Sequence, residues 1–208
     1  MICCSKNLKG KKMTTNLAIF PLPLVLLPGE YLPLRIFEAR YLDMVANCLR
    51  QQEPFVLSPV LDNAQNAMHL NMVGTTAKII EWDKKEEETL HIVVKGAEKV
   101  VIDRPSSKNN GLIIAETTSA KDFDSGLSEQ DMDFLMKSIE INNTLDLTKA
   151  TINSRSAIAA AYEIASLVNL NPIQKFSILS EKTGTNKLRL IEKYLGDFGN
   201  SDISVTLH

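Results

Sequence analysis

The sequence is poor in the residues that most chemistry needs. Of its 208 residues, three are cysteine, three histidine and one tryptophan. Cys3 and Cys4 are adjacent and Cys48 falls in a helical apolar pattern, so no disulfide framework is implied and the compartment is expected to be reducing. His69, His91 and His208 do not share a helix face at metal-ligand spacing, and no His-Glu-x-x-His occurs. His91 alternates with the apolar face of its strand and reads as a surface or satisfied histidine. There is no Gly-x-Ser-x-Gly elbow, no Gly-x-x-x-x-Gly-Lys-Ser/Thr loop and no Gly-x-Gly-x-x-Gly. The "TGTNKL" of 183–188 follows a helical pattern, lacks a second glycine and reads as a helix–helix turn. Glu86-Glu87-Glu88 is a solvated run, unlike the paired carboxylates of differing environment that acid–base catalysis requires. Trp82, beside that run, offers a stacking face but reads first as a strand residue capping a barrel end. No catalytic residue, metal or cofactor is expected.

Long apolar runs are missing too. Nothing approaches the ~18 residues of a transmembrane helix, and the lysine-bearing start has no apolar segment of a secretory signal. Cys3-Cys4 beside Lys6, Lys9, Lys11 and Lys12 suggests a lipidated basic anchor, but a disordered tail over 1–16 is the preferred reading. Acids (25) slightly outnumber bases (23), for a net charge of -2, without the footprint of a nucleic-acid binder. Apolar residues at 44% and charged residues at 23% fit a globular protein, expected to be soluble and cytoplasmic.

What is present changes period near residue 120. Before it, short alternating segments predict strands: one within 17–27, then 53–60, 73–82, 89–94, 98–103 and 111–118. Pro54 and Pro59 suggest that 53–60 is an edge or a short stretch. The charged "DKKEEE" reads as a hairpin turn or an exposed connection, and "RPSSKNN", rich in turn residues, as the join between the last two strands. One helix interrupts them over 38–50, with Tyr41, Leu42, Val45, Cys48 and Leu49 on one face. About six short strands signal a small barrel or sandwich.

After residue 125 the period is helical. Ser128 is a candidate N-cap with Asp131 three residues on, and Leu127 and Met132 occupy staple positions. Further helices are predicted over 154–168, from Asn171-Pro172 onward, and from an Asn186 cap to a stop at Gly196. The fold class is therefore α+β: a β-rich lobe over 17–120, a bundle of about four helices over 121–196 and a tail over 197–208. The polar "SAKDFDSG" of 119–126 reads as the boundary.

The densest motif is "FPLPLVLLPGEYLPLRIFEARYLDMV", residues 20–45. It resembles the start of the amino-terminal, substrate-binding domain of the Lon protease. The matching positions are Phe20-Pro21-Leu22, Val25-Leu26-Leu27, Pro28-Gly29, Pro33-Leu34, Ile36-Phe37-Glu38 and Arg40-Tyr41. Val73-Gly74-Thr75-Thr76-Ala77, Gly96 and the closing segment 171–195 follow in the family's order. Glu98-Lys99 stands where the family has an arginine-rich turn. The resemblance covers about 17–196. It implies a PUA-like pseudo-barrel followed by a helical bundle. It also implies a free-standing, non-catalytic protein that hydrolyses neither ATP nor peptide bonds. Expected partners are unfolded or tagged polypeptides, or a protease or chaperone, with no nucleic acid and no membrane. Self-association is left open. An RNA-binding PUA-like module and a small-molecule sensor are the alternatives.

The candidate binding or family-motif residues are Pro33, Leu34, Phe37, Glu38, Arg40, Tyr41 and Trp82. Most of the stretch reads as architecture: 22–27 as a strand, Pro28-Gly29 as a turn, Pro33 fixing the chain before the helix, and Phe37 stapled to Tyr41 or Leu42.

Overall fold

The computed structural model describes residues 14–61, 70–86, 89–124, 126–141 and 155–198. Six strands form one sheet: β1 (Thr14–Leu22), β2 (Tyr31–Ile36), β3 (Phe55–Pro59), β4 (Val73–Glu86), β5 (Thr89–Ser107) and β6 (Ile113–Ser119). Helix α1 (Ala39–Gln51) lies between β2 and β3. Among the described residues four helices follow the strands: α2 (Glu129–Ile141), α3 (Ala157–Leu167), α4 (Pro172–Ser180) and α5 (Gly184–Phe198). The chain is thus mixed α+β.

The sheet order is β2-β5-β4-β3-β1-β6, and β6 also pairs with β5. That second pairing closes five strands into a ring. It is possible because β5 is one 19-residue strand, where the alternation at 89–94 and 98–103 suggested two. Its first half pairs with β2 and its last half with β6. Among the paired strands described, only β1 and β3 run parallel. β3 lies between β1 and β4 with all five residues buried, so of the two expectations the short stretch holds and the edge position is corrected. Its prolines are accommodated because Pro54 precedes the strand and Pro59 is its last residue.

Three further expectations change in this region. β1 begins at Thr14, so 14–16 belong to a strand and not to the tail. It also ends at Leu22, and the apolar 24–27 is irregular buried chain rather than strand. Its side chains are divided between two cores: Val25 and Leu27 join the helices, Leu26 joins the sheet. Polar partners inside satisfy its backbone, as buried peptide groups require: Thr75 Oγ1 donates to the Leu26 carbonyl at 2.6 Å, and Leu27 N–H donates to Glu30 Oε2 at 2.8 Å. Thirdly, Pro33 lies inside β2, an edge strand, where a residue without an N–H is tolerated.

Gly96 explains how the following turn seats on the sheet. Gly29 N–H donates to the Gly96 carbonyl and Gly96 N–H to the Glu30 carbonyl, both at 2.9 Å. A Cβ on Gly96 would stand 2.1 Å from the Leu27 carbonyl oxygen, so only glycine lets the chain cross there.

The helices follow their caps. Ser128 and Asp131 bond reciprocally, and Leu127 and Met132 pack on the helical core. Asn171 and Gln174 form a full capping box with Pro172 in the first turn. Ser156 caps α3, whose predicted start at 154 lies outside the described residues. For α5 the cap is Thr183, whose Oγ1 accepts from Asn186 N–H at 3.3 Å, and the helix runs through Gly196 to Phe198. Two positions account for these corrections: a threonine was overlooked as a cap, and an exposed glycine late in a helix costs only about 1 kcal/mol.

Within the polar stretch 119–126, the side chain of Asp122 is buried. Asp122 lies between Lys99 of β5 and Lys187 of α5: it bonds Lys99 directly, lies 3.1 Å from Lys187 Nζ and accepts from Tyr162 OH of α3 at 2.8 Å. Lys187 is fully buried and also donates to the carbonyls of Ile178 and Glu181, at 2.7 and 2.6 Å, closing the end of α4. Burial is the main cause that lowers the Lys187 pKa, to about 8, and the Lys99 ammonium adds to it. The unfolded chain therefore binds more protons than the folded one between pH 8 and the ordinary lysine value of 10.5. Across that window this lysine makes folding more favourable as pH rises. Cys48, pushed up mainly by burial to about 11 from 9.0, acts in the opposite sense above pH 9. Tyr162, raised chiefly by burial, does so above pH 10. Between pH 7.5 and 9 the melting temperature of the parent is expected to rise relative to that of Lys187→Met. Parallel profiles for the two would refute the assignment.

Candidate functional site

A cleft of about 630 Å³ opens where the sheet meets the helices. One wall is the end of β1 at Phe20–Pro23 with the β2–α1 corner. Val60, Leu61 and the start of α4, with Asn171, Pro172 and Ile173, complete the lining. Phe20 is fixed from behind by Tyr41 and Phe55, with ring centroids 4.2 and 6.0 Å away. At the rims stand Phe37, 67% exposed, and Ile173, 64% exposed. Phe37 is thus not stapled down onto α1 as expected, and it is open to a ligand.

Two of the charged residues of the cleft, Glu38 and Arg40, pair with each other. Arg40 Nη2 lies 2.7 Å from Glu38 Oε2, and Nη1 donates to the Gly111 carbonyl at 3.2 Å. The guanidinium also lies over the Tyr41 ring at 4.7 Å, a cation–π geometry. Desolvation is the main cause that raises the Tyr41 pKa, so its phenol remains protonated at neutral pH. Glu38 is the N-cap residue of α1, although its side chain makes no cap hydrogen bond. What remains facing the opening is mainly apolar.

A second, shallower concavity of about 450 Å³ adjoins it, and Arg35 lines both. Pro33, Leu34 and Trp82 lie here with Glu81, Asp83 and His91. Trp82 is 60% exposed. The seven sequence-derived residues therefore divide four to three: Phe37, Glu38, Arg40 and Tyr41 line the main cleft, and Pro33, Leu34 and Trp82 its neighbour.

Sequence reading missed the far wall. An isoleucine beside a capping box reads as core, and only the burial of Leu179 without that of Ile173 shows otherwise. Val60 and Leu61 gave no signal either, because they leave β3 in irregular chain.

Among the described residues no group of three or more His, Cys, Asp or Glu side chains is placed to hold a metal ion. Among them, too, no helix is long and apolar enough to cross a membrane. The cleft offers shape and apolar contact.

Comparison with known proteins gives the family. Residues 16–197 match the model of the ATP-dependent protease La (LON) substrate-binding domain. No match was found among curated proteins. A Lon N-terminal domain protein from Xanthomonas campestris is 27% identical, with a TM-score of 0.69 over 88% of this chain and 98% of its own. The N-terminal domain of the Mycobacterium avium complex Lon protease is 16% identical, with a TM-score of 0.64 over 88% and 99%, and shares the fold. The chain belongs to the LON substrate-binding domain family.

Proposed function

We propose that this chain is a non-catalytic binding module that holds exposed apolar side chains of polypeptides in the cleft between sheet and helices. The observation that carries this reading is the pair Phe37 and Ile173, large apolar side chains left exposed while both line one mainly apolar cleft. The closed strand ring with its attached helices is read as a PUA-like pseudo-barrel and bundle, as in the Lon family. The sequence's lack of a phosphate loop or nucleophile elbow agrees with binding in place of catalysis. Unfolded or tagged chains are the proposed occupants, presented by or passed to a protease or chaperone. An RNA-binding role finds less support in a cleft whose Arg40 is already paired with Glu38.

The magnitude suits transient binding. Covering an aromatic and an aliphatic side chain returns about 3–6 kcal/mol before the costs of association. Partner side chains bury comparable area, which puts the affinity in the range of about 1–100 μM.

Reduced, carboxymethylated α-lactalbumin, titrated by fluorescence anisotropy, is a suitable probe. Binding within ~100 μM is expected, weakened about tenfold or more by Phe37→Asp, because a charge on the rim must be desolvated. The melting temperature of Phe37→Asp should stay within about 2 °C of the parent, since an exposed substitution typically changes stability by less than ~0.5 kcal/mol. No binding at that concentration, or equal binding by the variant, would remove the cleft from consideration.

A further inference from the structure

The start of α4 forms one wall of the cleft, and this nine-residue helix is tied to the rest of the fold by buried charges near both ends. Towards its beginning, Lys175 Nζ lies 2.6 Å from Glu30 Oε1, with both side chains less than one-fifth exposed. Glu30 is itself fixed. Its other carboxylate oxygen accepts from Leu27 N–H, and its carbonyl accepts from Gly96 N–H of β5. At the far end, the Ile178 and Glu181 carbonyls are held by Lys187. Ile173 lies within a single turn of Lys175, so a shift of that lysine carries the rim with it.

We infer that Glu30 and Lys175 are positioning residues that set the gape of the cleft, holding Ile173 at a fixed separation from Phe37. The consequence for affinity rests on the binding role proposed above; the geometry does not. A nearly buried ion pair is suited to this task, because the loss of one partner leaves the other charge unpaired in a poor solvent and drives it outward. In Glu30→Gln the stranded Lys175 takes the first turn of α4 outward, and in Lys175→Met the tether itself is lost while the stranded Glu30 turns to solvent, so in both the first turn of α4 is no longer held to the turn at Glu30. The cleft then binds only in the fraction of molecules whose wall is seated, and the apparent dissociation constant rises by the inverse of that fraction.

The test measures gape and affinity separately, on the full chain. In a background with Cys3→Ala, Cys4→Ala and Cys48→Ala, spin labels at Phe37→Cys and Ile173→Cys report the rim-to-rim distance by pulsed EPR without any ligand. Adding Lys175→Met is expected to lengthen and broaden that distribution, and Lys175→Arg, which retains the pair, to restore it. Glu30→Gln keeps an acceptor for Leu27 N–H while removing the charge, and serves as the second variant. Without labels, Lys175→Met is expected to weaken binding of carboxymethylated α-lactalbumin about tenfold if the wall is seated one-tenth of the time, with rescue by arginine. An unchanged distance distribution in both Lys175→Met and Glu30→Gln overturns the inference, whatever happens to binding. A distance change with no lactalbumin binding even by the parent supports the gape and instead defeats the binding role.

Discussion

Asp122→Asn is expected to lower the free energy of unfolding by about 3–5 kcal/mol, the usual cost of leaving a buried charge without its partner. This aspartate is the carboxylate shared by two lysines, Lys99 and Lys187, whose side chains are 7% and 0% exposed. Asparagine keeps the shape and an acceptor for Tyr162 OH, but leaves two buried ammonium groups without a counter-charge. For a chain of this size the expected fall in melting temperature is roughly 10 °C, at 2–4 °C per kcal/mol. Urea denaturation at pH 7 gives the energy directly. Adding Lys187→Met to Asp122→Asn removes one of the stranded cations and should recover part of the loss. A single-variant loss below ~1 kcal/mol would mean that the carbonyls around Lys187 suffice for it, and that Asp122 is incidental.

Gly96→Ala is expected to have an effect of similar size by a different physical route. The added methyl would meet the Leu27 carbonyl at 2.1 Å and Leu26 Cγ at 3.2 Å, so the turn must lift from β5. Lifting breaks the two hydrogen bonds that Gly96 makes with Gly29 and Glu30, worth about 1 kcal/mol each. Overpacking adds about 1–3 kcal/mol, for a total of about 3–5. The same displacement moves Glu30, and through it Lys175. Gly96→Ala should therefore weaken peptide binding in whatever fraction remains folded, whereas Asp122→Asn acts mainly on stability. Chemical denaturation with binding measured at 15 °C separates the two effects. A Gly96→Ala protein of parental stability would show that the turn relaxes at little cost.

The parts of this fold that were legible in the sequence are those governed by local periodicity and capping. α1 was placed within a residue or so, because Tyr41, Val45 and Cys48 repeat at helical spacing and are buried as expected. The Ser128–Asp131 and Asn171–Gln174 caps were visible as short-range patterns. What escaped depends on contacts distant in sequence. β2 looked like the approach to a helix because Pro33 interrupts its alternation. Residues 24–27 looked like a strand because apolar side chains that serve two different cores resemble one that faces a single core. In the stretch 119–126, read as the boundary, nothing nearby shows that Asp122 meets Lys99 and Lys187, 23 and 65 residues away. The candidate site divides the same way. Its near wall lies within the densest motif. Its far wall, Asn171–Ile173, is brought there by α4, and no local signal connects the two.

The closing of the strand ring bears on solubility. β5 spends one of its sides on β2 and β6 in turn, so among the described strands the open edges are the outer side of β2 and the part of β4 beyond Ala77 that β3 does not reach. An open edge of this kind can recruit another chain as an additional strand. Pro33 lies in the middle of β2 and contributes no N–H. Lys95 on the neighbouring strand, over the Tyr31 ring at 4.8 Å, adds a charge near the beginning of the same edge. Along β2, a protein read as gripping extended, sticky polypeptides by their side chains thus offers them an edge whose backbone is interrupted at its middle.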